Sequence, residues 1–195
     1  MKKKQLSTRL FLIIYSAVIA LTVLCDQLSK SWMEKLLGGG NRIEILGDWL
    51  TLEWTLNRGS AFGGFQNAWL LFFICTLVGL PAFFLLLWRS RVRSVWGRIG
   101  FSFIIGGTIG NAVDRFFYET QGFFRGAVRD FISVRGFAIF NVADSFLVVG
   151  VILACIALLF GDEDGVFRKQ KSVKEIAEQQ QTEHDFDQTE SDDER

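Results

Sequence analysis

Long apolar runs are the feature that most constrains what this chain can fold into. The hydrocarbon core of a bilayer is about 30 Å thick, and a helix needs about 20 mostly apolar residues to cross it. Four windows approach this requirement, at roughly 10–29, 68–88, 97–117 and 143–161. Half of the 195 residues are apolar and Pro occurs once, which is atypical of a soluble domain. We therefore predict an all-α integral membrane protein, a bundle of four transmembrane helices.

The first window follows a basic N-terminus, as the apolar part of a cleaved signal peptide would. It is not followed by a small-x-small cleavage site, and Asp26-Gln27-Leu28-Ser29-Lys30 continues with helical character. A retained span is therefore favoured over a signal peptide.

The third window is the least apolar, because its far end is polar and it is rich in glycine. Small residues let neighbouring helix backbones approach closely. We therefore expect this window to form an interior helix of the bundle. Its glycines are Gly100, Gly106, Gly107 and Gly110.

Charges are zoned along the chain, although they sum to zero. Basic residues flank the apolar runs, at 2–9 and 89–98, and do not form one basic face, so nucleic-acid binding is not expected. Short loops rich in Lys and Arg stay on the cytoplasmic side of a membrane. Both termini and the loop at 89–98 are therefore predicted to be cytoplasmic, with 31–67 and 118–142 outside.

The chain is predicted to divide into a membrane domain at 1–165 and a tail at 166–195. The tail is acidic, rich in Gln and poor in apolar residues. A segment of this composition cannot bury enough apolar surface to fold. We expect a disordered cytoplasmic tail that is dispensable for the domain.

The three cysteines, Cys25, Cys75 and Cys155, each lie inside an apolar run, and no CxxC occurs. The single histidine, His184, lies in the polar tail. Neither a disulfide nor a metal site is expected from this pattern. The cysteines are interpreted as small buried hydrophobic residues.

The segment between the first two windows contains IEILGDWLTLEWTLN. Its alternation and its β-branched and aromatic residues around Gly47-Asp48 predict a strand, a turn and a strand over 43–56. Trp49, Trp54 and Trp69 are expected at the headgroup level, where amphipathic rings are stable.

Polar residues recur near the outer ends of the windows. Asp26 and Lys30 are four apart on one helix face, where they can pair or form a snorkelling pair at the helix end. Asn111 and Asp114 are three apart and share a face, with Arg115 adjacent. These three are either turned inward by the glycine-rich surface or form a polar cap with a local ion pair.

A second polar group surrounds the start of the fourth window. Asp130 lies in a short extended segment between Val128 and Phe131. Asn141 and Asp144 are three apart at the entry to the window, where they can act as an N-cap and a favourable first-turn charge. Taken alone, that capping role is a sufficient explanation for both.

Taken together, the polar residues map to one outer level, and their carboxylates are the candidate chemistry. Two aspartates in a low-dielectric site cannot both ionise, so one keeps its proton, its pKa raised above about 3.9. Such a pair can act as general base and general acid on water and hydrolyse a peptide bond without a metal. Asp130 and Asp144 are the best pair by spacing. The residues at this level are Asp26, Asn57, Asn111, Asp114, Asp130, Asn141 and Asp144.

Two other classes of protein compete with this interpretation. A small transporter or proton-coupled carrier would place ionisable residues near the middle of its spans. In this chain they cluster at one end, and the middles of the runs are apolar or glycine. A non-catalytic membrane scaffold would leave the grouped aspartates and asparagines unexplained.

Five motifs in order resemble lipoprotein signal peptidase, the signal peptidase II of bacteria, over roughly 10–160. They are D-x-x-x-K at 26–30, N-x-G-x-A-F at 57–62, GNAVDR at 110–115, V-x-D-F at 128–131 and FNVADS at 140–145. That family is an aspartic endopeptidase of the bacterial cytoplasmic (inner) membrane. It cleaves prolipoproteins before the lipid-modified cysteine, and its fold is a four-helix membrane bundle with a small extracytoplasmic β-sheet cradle.

The resemblance implies roles for individual residues. Asp130 and Asp144 fall on the two catalytic aspartates, and no cofactor or metal is implied. We expect Arg115 to brace a carboxylate or a carbonyl, or to meet a lipid phosphate. Diacylglyceryl-modified prolipoproteins and membrane lipid are the expected partners of a monomer with its site near the outer face. The positions expected to shape the site or hold substrate are Asp26, Lys30, Asn57, Gly59, Ala61, Asn111, Asp114, Arg115, Val128, Phe131, Asn141 and Ala143.

Overall fold

A computed structural model describes residues 8–59, 68–88, 94–120 and 122–160. Ala61, residues 89–93 of the basic loop and the tail at 166–195 lie outside these residues, as does the side chain of Trp69. The described elements are the helices α1 (Thr8–Leu37), α2 (Ala68–Trp88), α3 (Val95–Phe117) and α4 (Val142–Phe160), and the strands β1 (Arg42–Leu46), β2 (Leu50–Asn57) and β3 (Val128–Val134).

Each of the four apolar windows falls on a helix, although α1 continues past the first window, 10–29, to Leu37. Within the described residues, three helices are long and apolar enough to cross a membrane, over Leu10–Leu37, Leu70–Leu87 and Val142–Phe160. Helix α3 falls short because its glycines and its polar end lower its hydropathy. Its identity as a fourth span therefore stays a prediction.

Helix α3 lies between α1 and α4 and packs on them through its glycines, as the sequence predicted for this window. A Cβ atom on Gly100 would lie 2.7 Å from the carbonyl oxygen of Gly150 in α4. A Cβ atom on Gly106 would lie 2.6 Å from Cβ of Thr22 in α1. Neither distance is attainable for a real side chain, so these contacts require glycine.

The outer surfaces of the helices are apolar as well. Exposed leucine, isoleucine and valine side chains cover α1, α2 and α4. Cys25, Cys75 and Cys155 are free and exposed on these surfaces, so the expectation that they are buried was wrong. A helix in contact with lipid is apolar on its outer face too, and an apolar run therefore does not identify the residues that face protein.

The three strands form one antiparallel sheet in the order β1-β2-β3. The predicted strand–turn–strand is present, with Gly47 at a φ of +51° in the turn. In the register of β2 and β3, Thr55 pairs with Asp130 and Asn57 pairs with Val128. This pairing brings the end of β2 beside Asp130.

The sheet is anchored to the end of α1 by a small apolar cluster. Its buried members are Met33, Leu37 and Phe131. Trp54 packs against this cluster and is only partly buried, whereas Trp49 at the hairpin is 57% exposed. Phe131 therefore fixes β3 on the helix, two residues after Arg129 and one after Asp130.

Replacing Gly150 by alanine is expected to lower the free energy of unfolding by about 1–3 kcal/mol, the usual cost of overpacking. A Cβ atom there would lie 2.7 Å from the carbonyl oxygen of Gly100. Gly79→Ala is the matched control, because its Cβ would meet only Cε2 of Phe83, at 3.6 Å. Thermal unfolding of both variants in detergent checks this, and an unchanged midpoint for Gly150→Ala would show that the helices separate without cost.

Candidate active site

Asp130 is held in β3 by two neutral amides. Its Oδ2 accepts a hydrogen bond from Nδ2 of Asn57 at 3.0 Å, and its Oδ1 accepts one from Nδ2 of Asn141 at 2.7 Å. The side chain is buried, with 2% of the residue exposed. Burial raises the pKa of Asp130 to about 6, although the two amide hydrogen bonds oppose the rise.

Asp144 lies in the first turn of α4 and is more exposed than Asp130. Its Oδ2 accepts the backbone N–H of Asn141 at 3.1 Å, while Oδ1 of Asn141 accepts the backbone N–H of Asp144 at 3.0 Å. This reciprocal pair caps the helix, as one interpretation of the sequence proposed. The other carboxylate oxygen, Oδ1, accepts Nδ2 of Asn111 at 2.8 Å.

Asn141 joins the two aspartates into one network. Its side chain donates to Asp130 and its backbone donates to Asp144. The same side-chain nitrogen donates to Oδ1 of Asn111 at 3.1 Å, which ties the network to α3. The negative charge of Asp144 also contributes to the raised pKa of Asp130. Two carboxyl groups, one of them with a raised pKa, are thus bound by the same asparagine, Asp130 by its side chain and Asp144 by its backbone.

Lys30 lies beneath this network and is fully buried. Its Nζ is 2.8 Å from Oδ2 of Asp26, 3.2 Å from Oδ2 of Asp114 and 2.9 Å from Oδ1 of Asn111. The predicted pair of Asp26 and Lys30 therefore forms inside the bundle. The alternative, a snorkelling pair at the helix end, was wrong because neither side chain is exposed.

Asp26 connects α1 to the start of α4. Its Oδ1 accepts the backbone N–H of Ala143 at 3.0 Å. A Cβ atom on Gly110 would lie 2.6 Å from Oδ2 of Asp26, so a larger residue there would displace the carboxylate oxygen that binds Lys30. Ala143 is itself fully buried. Ala143 therefore acts through its backbone and its small size.

Asp114 is paired with a cation that the sequence did not identify as part of the site. Nη2 of Arg129 lies 2.7 Å from Oδ1 of Asp114, and its Nε and backbone N–H both donate to Oδ2. Nη2 also donates to Oε1 of Gln27 at 2.8 Å. The guanidinium carbon lies 4.6 Å from the ring centroid of Tyr118. Arg129 therefore links β3 to α1, to α3 and to Tyr118, which follows α3.

The sequence signal for Arg129 was its place in the strand. Neighbouring strand residues point to opposite faces, so Arg129 lies opposite Asp130. Arg115, adjacent to Asp114, was the cation expected to brace a carboxylate, so the count of charges did not single out Arg129.

Arg115 holds two backbone carbonyls. Its Nη1 donates to the carbonyl oxygens of Asn57 at 3.0 Å and of Gly126 at 3.1 Å. Of the roles expected for it, the structure shows the carbonyl brace. Gly59, with a φ of +103°, donates its backbone N–H to Oδ1 of Asn57 at 2.9 Å. Arg115 thus holds the backbone of Asn57, and Gly59 orients its side-chain amide.

Val128 and Phe131 are buried, with 5% and 3% exposed, so their contribution is to fix β3. Within the described part of the chain, no group of three or more His, Cys, Asp or Glu side chains is arranged to hold a metal ion.

Comparisons with known proteins agree on one family. The family model for signal peptidase (SPase) II matches residues 18–160. A lipoprotein signal peptidase of Mycobacterium avium (strain 104) is 40% identical over 168 residues, covering 84% of this chain and 87% of the relative. One from Clostridium novyi (strain NT) is 36% identical over 150 residues, covering 73% and 95%. A solved structure of a bacterial membrane enzyme matches with a TM-score of 0.65 and 29% identity, covering 75% of this chain and 93% of that one.

Replacing Arg129 by glutamine is expected to cost roughly 3–5 kcal/mol of unfolding free energy, because Asp114 then keeps a buried charge with one cation fewer. Arg42→Gln is the matched control. Its partner is Asp48, and the two side chains are 47% and 75% exposed, so the loss should be at most about 1 kcal/mol. Unfolding in detergent measures both losses, and equal losses would show that the Arg129 pair contributes no more than a surface pair.

Proposed function

Because the chain belongs to the signal peptidase II family, we propose that it is an aspartic endopeptidase with Asp130 and Asp144 as its catalytic pair. The family consists of membrane proteases that remove signal peptides from prolipoproteins. The bond hydrolysed is the one immediately before the diacylglyceryl-modified cysteine. The observation that carries the proposal is Asn141, which binds both carboxylates at once.

The two aspartates have different catalytic roles because their environments differ. Asp144 is the more exposed and acts as the general base, taking a proton from the attacking water. Asp130 holds the proton that is delivered to the carbonyl oxygen of the scissile bond. Both Asp130 oxygens already accept amide hydrogen bonds, so its own proton is left for the substrate.

The resulting tetrahedral intermediate then collapses. The C–N bond breaks, the proton on Asp144 goes to the leaving amine, and the hydroxyl proton returns to Asp130. Asn57, Asn111 and Asn141 keep both carboxyl groups in place throughout. Because these donors are neutral, they orient Asp130 without the strong depression of its pKa that a cation would cause.

The membrane arrangement follows from the helices and from the position of the site. We place α3 across the bilayer as the fourth span, with both termini in the cytoplasm of a bacterium and the chain as a monomer in its cytoplasmic (inner) membrane. The sheet and the aspartates then lie at the outer face. The diacylglyceryl chains of a substrate would occupy the bilayer, and the bond beside them would reach the site at its surface.

Replacing Asp130 or Asp144 by asparagine is expected to lower cleavage of a diacylglyceryl-modified prolipoprotein by roughly 10²- to 10⁴-fold, since asparagine keeps the shape but removes the proton. A gel-shift assay with purified protein in lipid measures this. Asp48→Asn, on the exposed turn of the hairpin, should cleave like the wild type. If Asp130→Asn or Asp144→Asn keeps near-wild-type cleavage, the assignment fails, and Asp114 or Asp26 becomes the next candidate.

The value of kcat/KM should fall as the pH is raised, because the protonated fraction of Asp130 falls as pH rises through its pKa. The decline should begin at about pH 6 or above, since kcat/KM reports the free enzyme and surrounding lipid removes further water from the site. Asn57→Ala removes a hydrogen bond that stabilises the ionised form. It should therefore move the decline to higher pH, and a movement to lower pH would contradict the role given to Asp130.

A further inference from the structure

An aromatic patch lies where α3 passes into the loop that precedes β3. It consists of Phe116, Phe117 and Phe123, which are 38%, 80% and 68% exposed. The rings of Phe116 and Phe123 pack edge to face with centroids 5.4 Å apart. Phe124, only 1% exposed, lies against Phe116 at 4.9 Å. An exposed aromatic group of this kind marks a surface with a partner.

The depth of the patch is fixed by its contact with α2. The ring of Phe73 lies 5.5 Å from that of Phe123 and 5.2 Å from that of Phe124. Phe73 belongs to the first turn of the apolar stretch Leu70–Leu87, which is long enough to cross a membrane. The patch is therefore level with the beginning of a membrane span.

The residues just before β3 make close contacts with the end of α3. The backbone N–H groups of Gly126 and Ala127 donate to the carbonyl oxygens of Arg115 and Tyr118 at 2.9 and 3.0 Å. A Cβ atom on Gly126 would lie 2.4 Å from the carbonyl oxygen of Asp114. Phe124 has a φ of +56°, which is uncommon for a residue other than glycine. The end of the loop is therefore packed tightly on α3, while the phenylalanines of the patch remain exposed.

One margin of the loop is charged. Nη2 of Arg58 lies 2.7 Å from Oε2 of Glu119, and the two side chains are 41% and 47% exposed. The patch itself contacts Phe73, which follows the exposed Leu70, Leu71 and Phe72 in α2. A charged margin beside an apolar one matches the boundary between water and hydrocarbon.

We propose that the aromatic patch is a lipid-contact surface, embedded among the acyl chains of the outer-leaflet phospholipids. Lipid is favoured over a second copy or another protein because the patch is in contact with a helix whose own outer face requires lipid. The contact holds the loop, and with it the start of β3 at Val128, at a fixed depth. Asp130, two residues further on, would then be held at a fixed depth as well. The importance of that depth for cleavage rests on the proposed function, whereas the lipid contact does not.

The test places nitroxide labels on the loop in a variant whose three cysteines are replaced by alanine. Phe117→Cys and Phe123→Cys are labelled and reconstituted in vesicles of phosphatidylcholine and phosphatidylglycerol. Collisions with oxygen, which concentrates in bilayers, should exceed collisions with a water-soluble nickel chelate several-fold at both positions. Glu119→Cys, on the charged margin, is the matched control and should show the reverse order.

Two results would overturn the proposal. Dominant collisions with the nickel chelate at positions 117 and 123 would place the patch in water. Low collision rates with both reagents would show that protein covers it, and dilution in excess lipid would then separate a second copy from a segment of the same chain.

A second measurement uses the unaltered protein. Phosphatidylcholine with a diazirine in its acyl chain, activated by light in the same vesicles, should label the peptide that contains residues 116–124. Absence of label there, with label present on α2, would contradict the proposal even if the cysteine variants fail to fold. Neither measurement depends on cleavage, so a failure here is distinct from a failure of the peptidase proposal.

Discussion

The fold depends on the burial of Lys30. An ammonium group inside a helix bundle is tolerated only if carboxylates and hydrogen-bond acceptors surround it. Asp26 and Asp114 supply the charge and Asn111 supplies a further oxygen. Arg129 then completes the set, so that two carboxyl groups face two cations. Because these residues come from α1, α3 and β3, neutralising the buried charge assembles the bundle and fixes the sheet on it.

The aspartate pair is built above this charged layer from neutral groups. Asn57, Asn111 and Asn141 hold Asp130 and Asp144, and none of them carries a charge. Arg115 is close by, but the hydrogen bonds of its Nη1 go to backbone carbonyls. Keeping cations out of direct contact with the aspartate pair has a chemical consequence. A cation bound directly to Asp130 would strongly favour its ionised form, whereas amides orient it and allow a raised pKa.

The membrane provides the second constraint. The exposed faces of α1, α2 and α4 are apolar, and the charged layer lies near one end of the bundle. The proposed activity, cleavage beside a lipid-anchored cysteine, would require the carboxyl groups at such a boundary. Phe123 and Phe124 of the loop before β3 contact the first turn of the apolar stretch in α2, and we place them at the same boundary.

Local patterns in the sequence predicted the helices and the hairpin. Apolar length and strand alternation are local properties, and the pairing of Asp26 with Lys30 follows from a spacing of four within one helix. Most of the polar candidates could also be listed, because ionisable residues are rare in apolar runs. Contacts between residues of different elements depended on the tertiary structure. Arg129 meets Asp114 across fifteen positions, and Asn141 reaches Asp130 across eleven. The exposure of the cysteines could not be predicted either. An apolar side chain is stable both in lipid and in a protein interior, and only the packing of the helices decides which of the two it faces.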